Sequence, residues 1–259
     1  MTNANDKNKQ ALAQLTGNNE LFNRLQTKRI GIWSGEFKTN SDVLLAEALA
    51  ELLGRLWRNI DANGSLSQNF VKVAKEAAHS GEIECDIYER WNPPYDYVIS
   101  LGTKLPSDVE NGIIISASDW NASIGSNIIS NESINPVGPF LAALFGAVEI
   151  FKSVFIDTSL AENIVKVPPD YKYSSWYGGI NPISEKSDLY FDNVCIFGVG
   201  AVTHSLMWLL EHWPGTLIGT LHLVDHDKYD SGNGQRYIGM RHEDINHNKA
   251  EVMASKLDK

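Results

Sequence analysis

The strongest constraint on what this chain can fold into is an alternation. Short apolar runs that end in glycine or a polar turn are followed by stretches whose leucines and alanines recur at helical spacing. "RIGIWSG" (29–35) gives way to "SDVLLAEALAELLGRLW" (41–57), where Leu45, Leu49, Leu52, Leu53 and Leu56 share a stripe and Ser41 is the expected N-cap. "NIDANG" (59–64) then leads to "SQNFVKVAKEAAHSG" (67–81), a helix that Gly81 should close. "IECDIYERW", "YDYVISLG" and "GIIISAS" follow as three strand candidates bounded by Pro, Asn and Gly. "NPVGPFLAALFGAVEIFKSVF" (135–155) is apolar nearly all round and predicts a helix buried between layers. Strands alternating with helices predict an α/β fold: Rossmann-like parallel sheets with crossover helices.

The alternation breaks once. Residues 157–188 carry prolines, glycines and polar residues without a period, the composition of a connecting segment. The expected organisation is therefore a leader or helix over 1–28, a Rossmann-like domain over 29–160, a linker over 161–188 and a second α/β segment over 189–259. A length of 259 residues accommodates two cores. The formal charge of -10 argues against a nucleic-acid partner, which calls for a basic face. No apolar run is long enough for a membrane helix, and "MTNANDKNKQALAQ" lacks the order of a signal peptide. Cys85 and Cys195 are too few for a disulfide framework, so a reducing, cytoplasmic setting is expected, with both thiols buried as small apolar residues.

Chemistry concentrates at the C-terminal end. "DNVCIFGVGAVTHSLMWLLEHW" (192–213) runs from a strand through Gly198 and Gly200 into a helix; such glycines let backbone approach a phosphate at a helix N-terminus. Thr203 stands where the usual dinucleotide fingerprint has its third glycine. "TLHLVDHDKYD" (220–230) supplies the next strand, and Asp225 at its end is placed to meet a ribose hydroxyl. That pairing suits NAD, ATP or S-adenosylmethionine equally. Beyond it stand Asp227, Asn233, Gln235 and Arg236, and then Lys249 at the start of a helix. Cations converging beyond a ribose fit an enzyme that splits a triphosphate, because charge accumulates on departing pyrophosphate.

These residues resemble the ThiF, MoeB and ubiquitin-activating (E1-like) adenylyltransferases. The family's glycine turn, Asp-x-Asp strand end, Asn-x-x-Arg loop and following lysine stand here as "GVGAVTHS", "VDHD", "SGNGQR" and "NKAE", over about residues 190–257. Ala201 and Thr203 depart from it, occupying positions where the family has glycine. The resemblance implies that ATP and Mg2+ are used to activate the C-terminal carboxylate of a ubiquitin-like or sulfur-carrier protein, giving an acyl-adenylate and pyrophosphate. It assigns Gly198, Gly200, Asp225, Asn233, Gln235, Arg236 and Lys249 to the nucleotide, with Arg236 and Lys249 catalytic and Asp227 orienting the loop.

The resemblance further implies that residues 29–160 are an inactive adenylation-like half and that the active half stops short at residue 259, either as a fragment or as a half-enzyme that a partner completes; a homodimer or a heteromeric partner is expected. Arg24 is the one candidate for an arginine reaching the ATP from the leader. Two other readings stay open: a non-catalytic E1-like scaffold, and an NAD-dependent oxidoreductase. Six of the seven histidines fall between His204 and His247 without the ligand spacing of a metal site. Tryptophans such as Trp120 and Trp176 read as packing residues, with a surface for a protein tail as the alternative.

Overall fold

The computed structural model describes residues 9–10, 13–14, 20–36, 38–153, 171–174 and 188–257. Helix α1 (Glu20–Thr27) leads into β1 (Arg29–Ser34), α2 (Asn40–Gly54), β2 (Asn59–Asn63), α3 (Ser67–Ser80), β3 (Asp86–Glu89), β4 (Tyr97–Leu101) and β5 (Gly112–Ser118). Next come β6 (Asn121–Ile124), α4 (Val137–Ser153) and β7 (Tyr171–Ser174). The C-terminal segment holds β8 (Leu189–Phe197), α5 (Ala201–Glu211), β9 (Leu217–Val224), the single-turn α6 (Ser231–Gly234) and α7 (Lys249–Leu257). The alternation thus produced the expected α/β architecture.

Seven strands form one sheet in the order β3-β2-β1-β4-β5-β6-β7. β3 to β5 run parallel and in register, Arg29 beside Asn59 and Ile30 beside Tyr97, while β6 pairs antiparallel with both neighbours. β6 escapes a reading by crossover because it returns directly from β5 as a short antiparallel strand that needs no helix. β7 also lies within the stretch expected as linker; most of the remainder of that stretch, Trp176 included, falls outside the described residues. β8 and β9 form a separate parallel pair.

Packing follows the sequence pattern with three departures. α2 carries Leu45, Leu49 and Leu53 inward, fully buried, against α3 and α4. Its N-cap is Thr39 rather than Ser41: the Thr39 hydroxyl accepts the Asp42 amide and the Asp42 carboxylate accepts the Thr39 amide, closing a capping box two residues earlier. α4 buries one face through Phe140, Ala142, Ala143, Gly146 and Ile150, but leaves Val148 exposed, so it is an outer-layer helix rather than an enclosed one. Cys195 is exposed and Cys85 only half-buried, which corrects the expectation for both thiols. In β8, Leu189, Phe191 and Ile196 take the covered face beneath α5 and α7, and the bare face carries Cys195 together with exposed Tyr190 and Phe197.

The β8–β9 pair packs on its own buried cluster around Val199, Met207, Leu210 and Met253, and the C-terminal segment also joins the core of the seven-stranded unit. Trp208 of α5 and Ile238 belong to the same buried cluster as the leucines of α2, and Trp208 stacks on Phe140 of α4 at 5.1 Å between centroids. α2 and α3 approach so closely that a Cβ on Gly54 would lie 2.2 Å from the Ala74 carbonyl oxygen. Because the obstruction is backbone, the helices must part to admit a methyl. Gly54→Ala is expected to cost about 1–3 kcal/mol of stability, the usual range for core overpacking, read as a fall in denaturant midpoint with unchanged m-value.

Candidate functional site

The site is assembled from the end of β8, the start of α5 and the segment after β9. β8 stops at Phe197, and Gly198 turns the chain at φ +92°, a left-handed conformation that a side chain would strain. A Cβ at Gly198 or Gly200 would meet nothing within 4 Å, so this surface is open to an approaching group. Gly200 caps α5 without any side-chain hydrogen bond, which leaves the first helical amides available to an anion. Thr203, the residue that replaces a glycine, donates from its hydroxyl to the Gly198 carbonyl at 2.7 Å. The substitution therefore braces the turn from beneath.

Asp225 ties this turn to the second strand. One carboxylate oxygen accepts the Val199 amide at 2.6 Å and the other accepts the Asp227 amide at 2.8 Å. Burial pulls its carboxyl upward, but the Val199 and Asp227 amides and the nearby Lys249 and His226 outweigh that and hold it below the ordinary aspartate value. Asp227 then reaches Lys249: their side chains pair at 3.1 Å, and the Lys249 amide donates to the Asp227 carbonyl at 3.0 Å. Asp227 is thus a loop-orienting residue. Lys249 is buried; desolvation alone would lower its pKa, yet the contact with Asp227 leaves it raised, and the side chain carries a positive charge.

Arg236 and Lys249, thirteen positions apart, meet at Tyr237. The guanidinium lies 5.6 Å and the ammonium 5.7 Å from its ring centroid, both within cation–π range. Arg236 is exposed, with its head in the open surface. The other two expected nucleotide residues are differently employed. The Asn233 side chain accepts the Asp230 amide in a capping box of α6, and Gln235 donates to the Gly81 carbonyl at 3.3 Å at the end of α3. Arg24 sits on α1, whose Phe22 and Leu25 enter the core of the seven-stranded unit.

Behind the site lies a buried group that sequence patterning did not single out. His204, 1% exposed, makes a 2.8 Å contact from Nδ1 to the Ile238 carbonyl and a 2.9 Å contact from Nε2 to the Tyr229 hydroxyl, and its ring tilts against Tyr237. A neutral imidazole satisfies both partners, donating at Nδ1 and accepting at Nε2. The only trace in the sequence is one histidine amid the apolar residues of "AVTHSLMWLL". Asp225, His226 and Asp227 bring three potential ligand atoms within 4.8 Å of one another at the surface. Exposed groups of this kind are common without an ion.

Residues 182–259 match the model of the ThiF family, so the family resemblance seen in the motifs holds for this segment. The chain is also 27% identical over 164 residues to a protein of Sinorhizobium fredii (strain NBRC 101917 / NGR234) that carries the name uncharacterized protein y4jF. That similarity covers 60% of this chain and 30% of the relative, so the chain spans less than a third of the length of the protein it matches. No described helix is long and apolar enough to cross a membrane.

His204 makes the stability of the fold depend on pH. Desolvation pushes its pKa down to about 4 from the ordinary 6.5. An unfolded chain therefore takes up a proton that the folded chain refuses, and stability is lost as pH falls from about 6.5 toward 4. The contribution is on the order of 3 kcal/mol. Urea unfolding of the parent chain is expected to show this slope, and His204→Gln to flatten it across the same window.

Proposed function

We propose that the residues around Gly198, Gly200, Asp225, Arg236 and Lys249 form the nucleotide site of an E1-like adenylyltransferase, which activates the C-terminal carboxylate of a ubiquitin-like or sulfur-carrier protein with ATP. The observation that carries this reading is the convergence of Arg236 and Lys249 on Tyr237, next to a glycine turn that Asp225 fastens and that leaves its amides open. A hydride-transferring enzyme expels no phosphate and so does not call for two cations to neutralise a leaving group. An enzyme that expels pyrophosphate does.

In this reading a carboxylate oxygen of the carrier attacks the α-phosphorus of ATP, the bond from that phosphorus to the bridging oxygen breaks, and pyrophosphate departs with the electron pair. The open amides at the start of α5 bind phosphate oxygens, Asp225 accepts from the ribose, and Arg236 and Lys249 neutralise charge on the phosphates. Asn233 serves by shaping the loop through α6. Gln235 serves from the same loop by fastening it to Gly81. Mg2+ bound with the triphosphate would supply further charge neutralisation. Lys249 is already charged and held by Asp227, so little reorganisation is needed when negative charge develops.

Calorimetric titration of the chain with Mg2+-ATP and, separately, with NAD+ tests the assignment. Binding of ATP alone is expected, weakened roughly 10- to 100-fold by Arg236→Ala or Lys249→Ala, the range for loss of a charged hydrogen bond. In the protein purified from its source the same changes are expected to reduce carrier-dependent exchange of pyrophosphate into ATP by about 10²- to 10³-fold. Binding of NAD+ in place of ATP would sink the proposal, as would exchange that survives both substitutions.

A further inference from the structure

The stretch from Gly234 to Arg241, which carries Arg236 and Tyr237, is held from the opposite side of the molecule. Arg55, at the end of α2 in the seven-stranded unit, donates one guanidinium nitrogen to the Gly234 carbonyl at 2.5 Å and another to the Met240 carbonyl at 3.0 Å. Glu51, one helical turn earlier, pairs with Arg55 at 2.7 Å, accepts the Gly239 amide at 3.1 Å and takes the Arg241 guanidinium at 2.6 Å. Glu51 and Arg55 are 1% and 3% exposed. Both ends of the stretch are therefore fastened to two side chains on a single turn of one helix, and Arg236 and Tyr237 lie between the attachments.

Further contacts agree. A Cβ on Gly234 would fall 1.9 Å from the Ser80 carbonyl oxygen, so glycine is required for α6 to sit against the end of α3. Gln235 donates to Gly81, and the rings of His79 and His242 meet at 4.5 Å between centroids. Lys256 of α7 closes the far side, contacting the Gly239 carbonyl at 2.9 Å and the Asp244 carboxylate at 2.7 Å.

We infer that Glu51 and Arg55 are positioning residues for the Arg236–Tyr237 segment, so that the seven-stranded unit, lacking a glycine-rich phosphate loop of its own, sets the geometry of the cationic half of the adjoining site. The buried pair satisfies backbone groups at Gly234, Gly239 and Met240 that have no partner within a regular element. Its loss frees the segment to move, and Arg236 and Tyr237 move with it. Where nucleotide binding is concerned this inference rests on the function proposed above.

The test combines hydrogen exchange with nucleotide titration. Removing one member of the pair strands the other in the interior and invites global unfolding, so Arg55→Lys is accompanied by the double variant Glu51→Leu/Arg55→Met, which keeps the volume and removes the charge. Amides 235–240 of the double variant are expected to exchange roughly tenfold or more faster, while those of β1 and β4 are unchanged. Its affinity for Mg2+-ATP is expected to fall by a similar factor, toward that of Arg236→Ala, and Arg55→Lys should recover part of both. Unchanged exchange over 235–240 overturns the inference, and so does faster exchange with parental ATP affinity in a protein whose binding depends on Arg236. A parent chain that binds no ATP overturns the proposed function instead, and the exchange data alone then decide whether Glu51 and Arg55 hold the segment.

Discussion

Two charges with almost no solvent decide how this molecule is put together. Desolvation works against both Glu51 and Arg55, yet the Glu51 carboxyl stays below its ordinary value because Arg55 and Arg241 flank it. A buried pair of this kind is no net source of stability unless its remaining hydrogen-bonding capacity is used. Here that capacity is spent on backbone at Gly234, Gly239 and Met240. The pair therefore specifies where the C-terminal segment lies against α2, and hydrophobic contact supplies the adhesion through Trp208, Phe140 and Ile238.

That arrangement divides the candidate site into two supports. The glycine turn and Asp225 are anchored to the β8–β9 pair by ladder and loop hydrogen bonds, among them Gly198 to Val224 at 2.8 Å. Arg236 and Tyr237 are anchored to the seven-stranded unit. Lys249 bridges them, fastened to Asp227 on one side and facing Tyr237 on the other. His204 lies at the junction and keeps a neutral ring where a charge would have neither water nor a carboxylate in contact. A site held on two supports responds to the fit between them.

The motif positions were legible in the sequence because they depend on local chain order. A strand ending in Gly-x-Gly must turn, an aspartate at the end of the next strand must lie beside that turn, and each can be seen by counting residues. Arg236 and Lys249 could be nominated the same way, although their meeting at Tyr237 could not. Gln235 and Asn233 carry the right residue types at the right spacing, yet their side chains are committed to Gly81 and to the α6 cap. Spacing specifies where along the loop a residue falls; it leaves open which way the side chain turns when a neighbouring unit offers a carbonyl. Cys195 was misjudged for a related reason: a strand pattern reveals two faces, but which of them is covered depends on what packs there.

By itself the sequence determined the α/β class, the strand–turn–helix corner at Gly198, the acid at Asp225 and the cationic character of the loop beyond it, since hydrophobic period and turn chemistry are properties of neighbouring residues. Only the tertiary structure decided that Arg55 reaches across some 180 positions to Gly234 and Met240 and Glu51 to Gly239, that Thr203 braces the glycine turn, and that His204 is neutral. Those outcomes turn on burial and on the pairing of distant polar groups. A buried charge or carbonyl must find a partner wherever the fold presents one, and no local pattern records which partner that is.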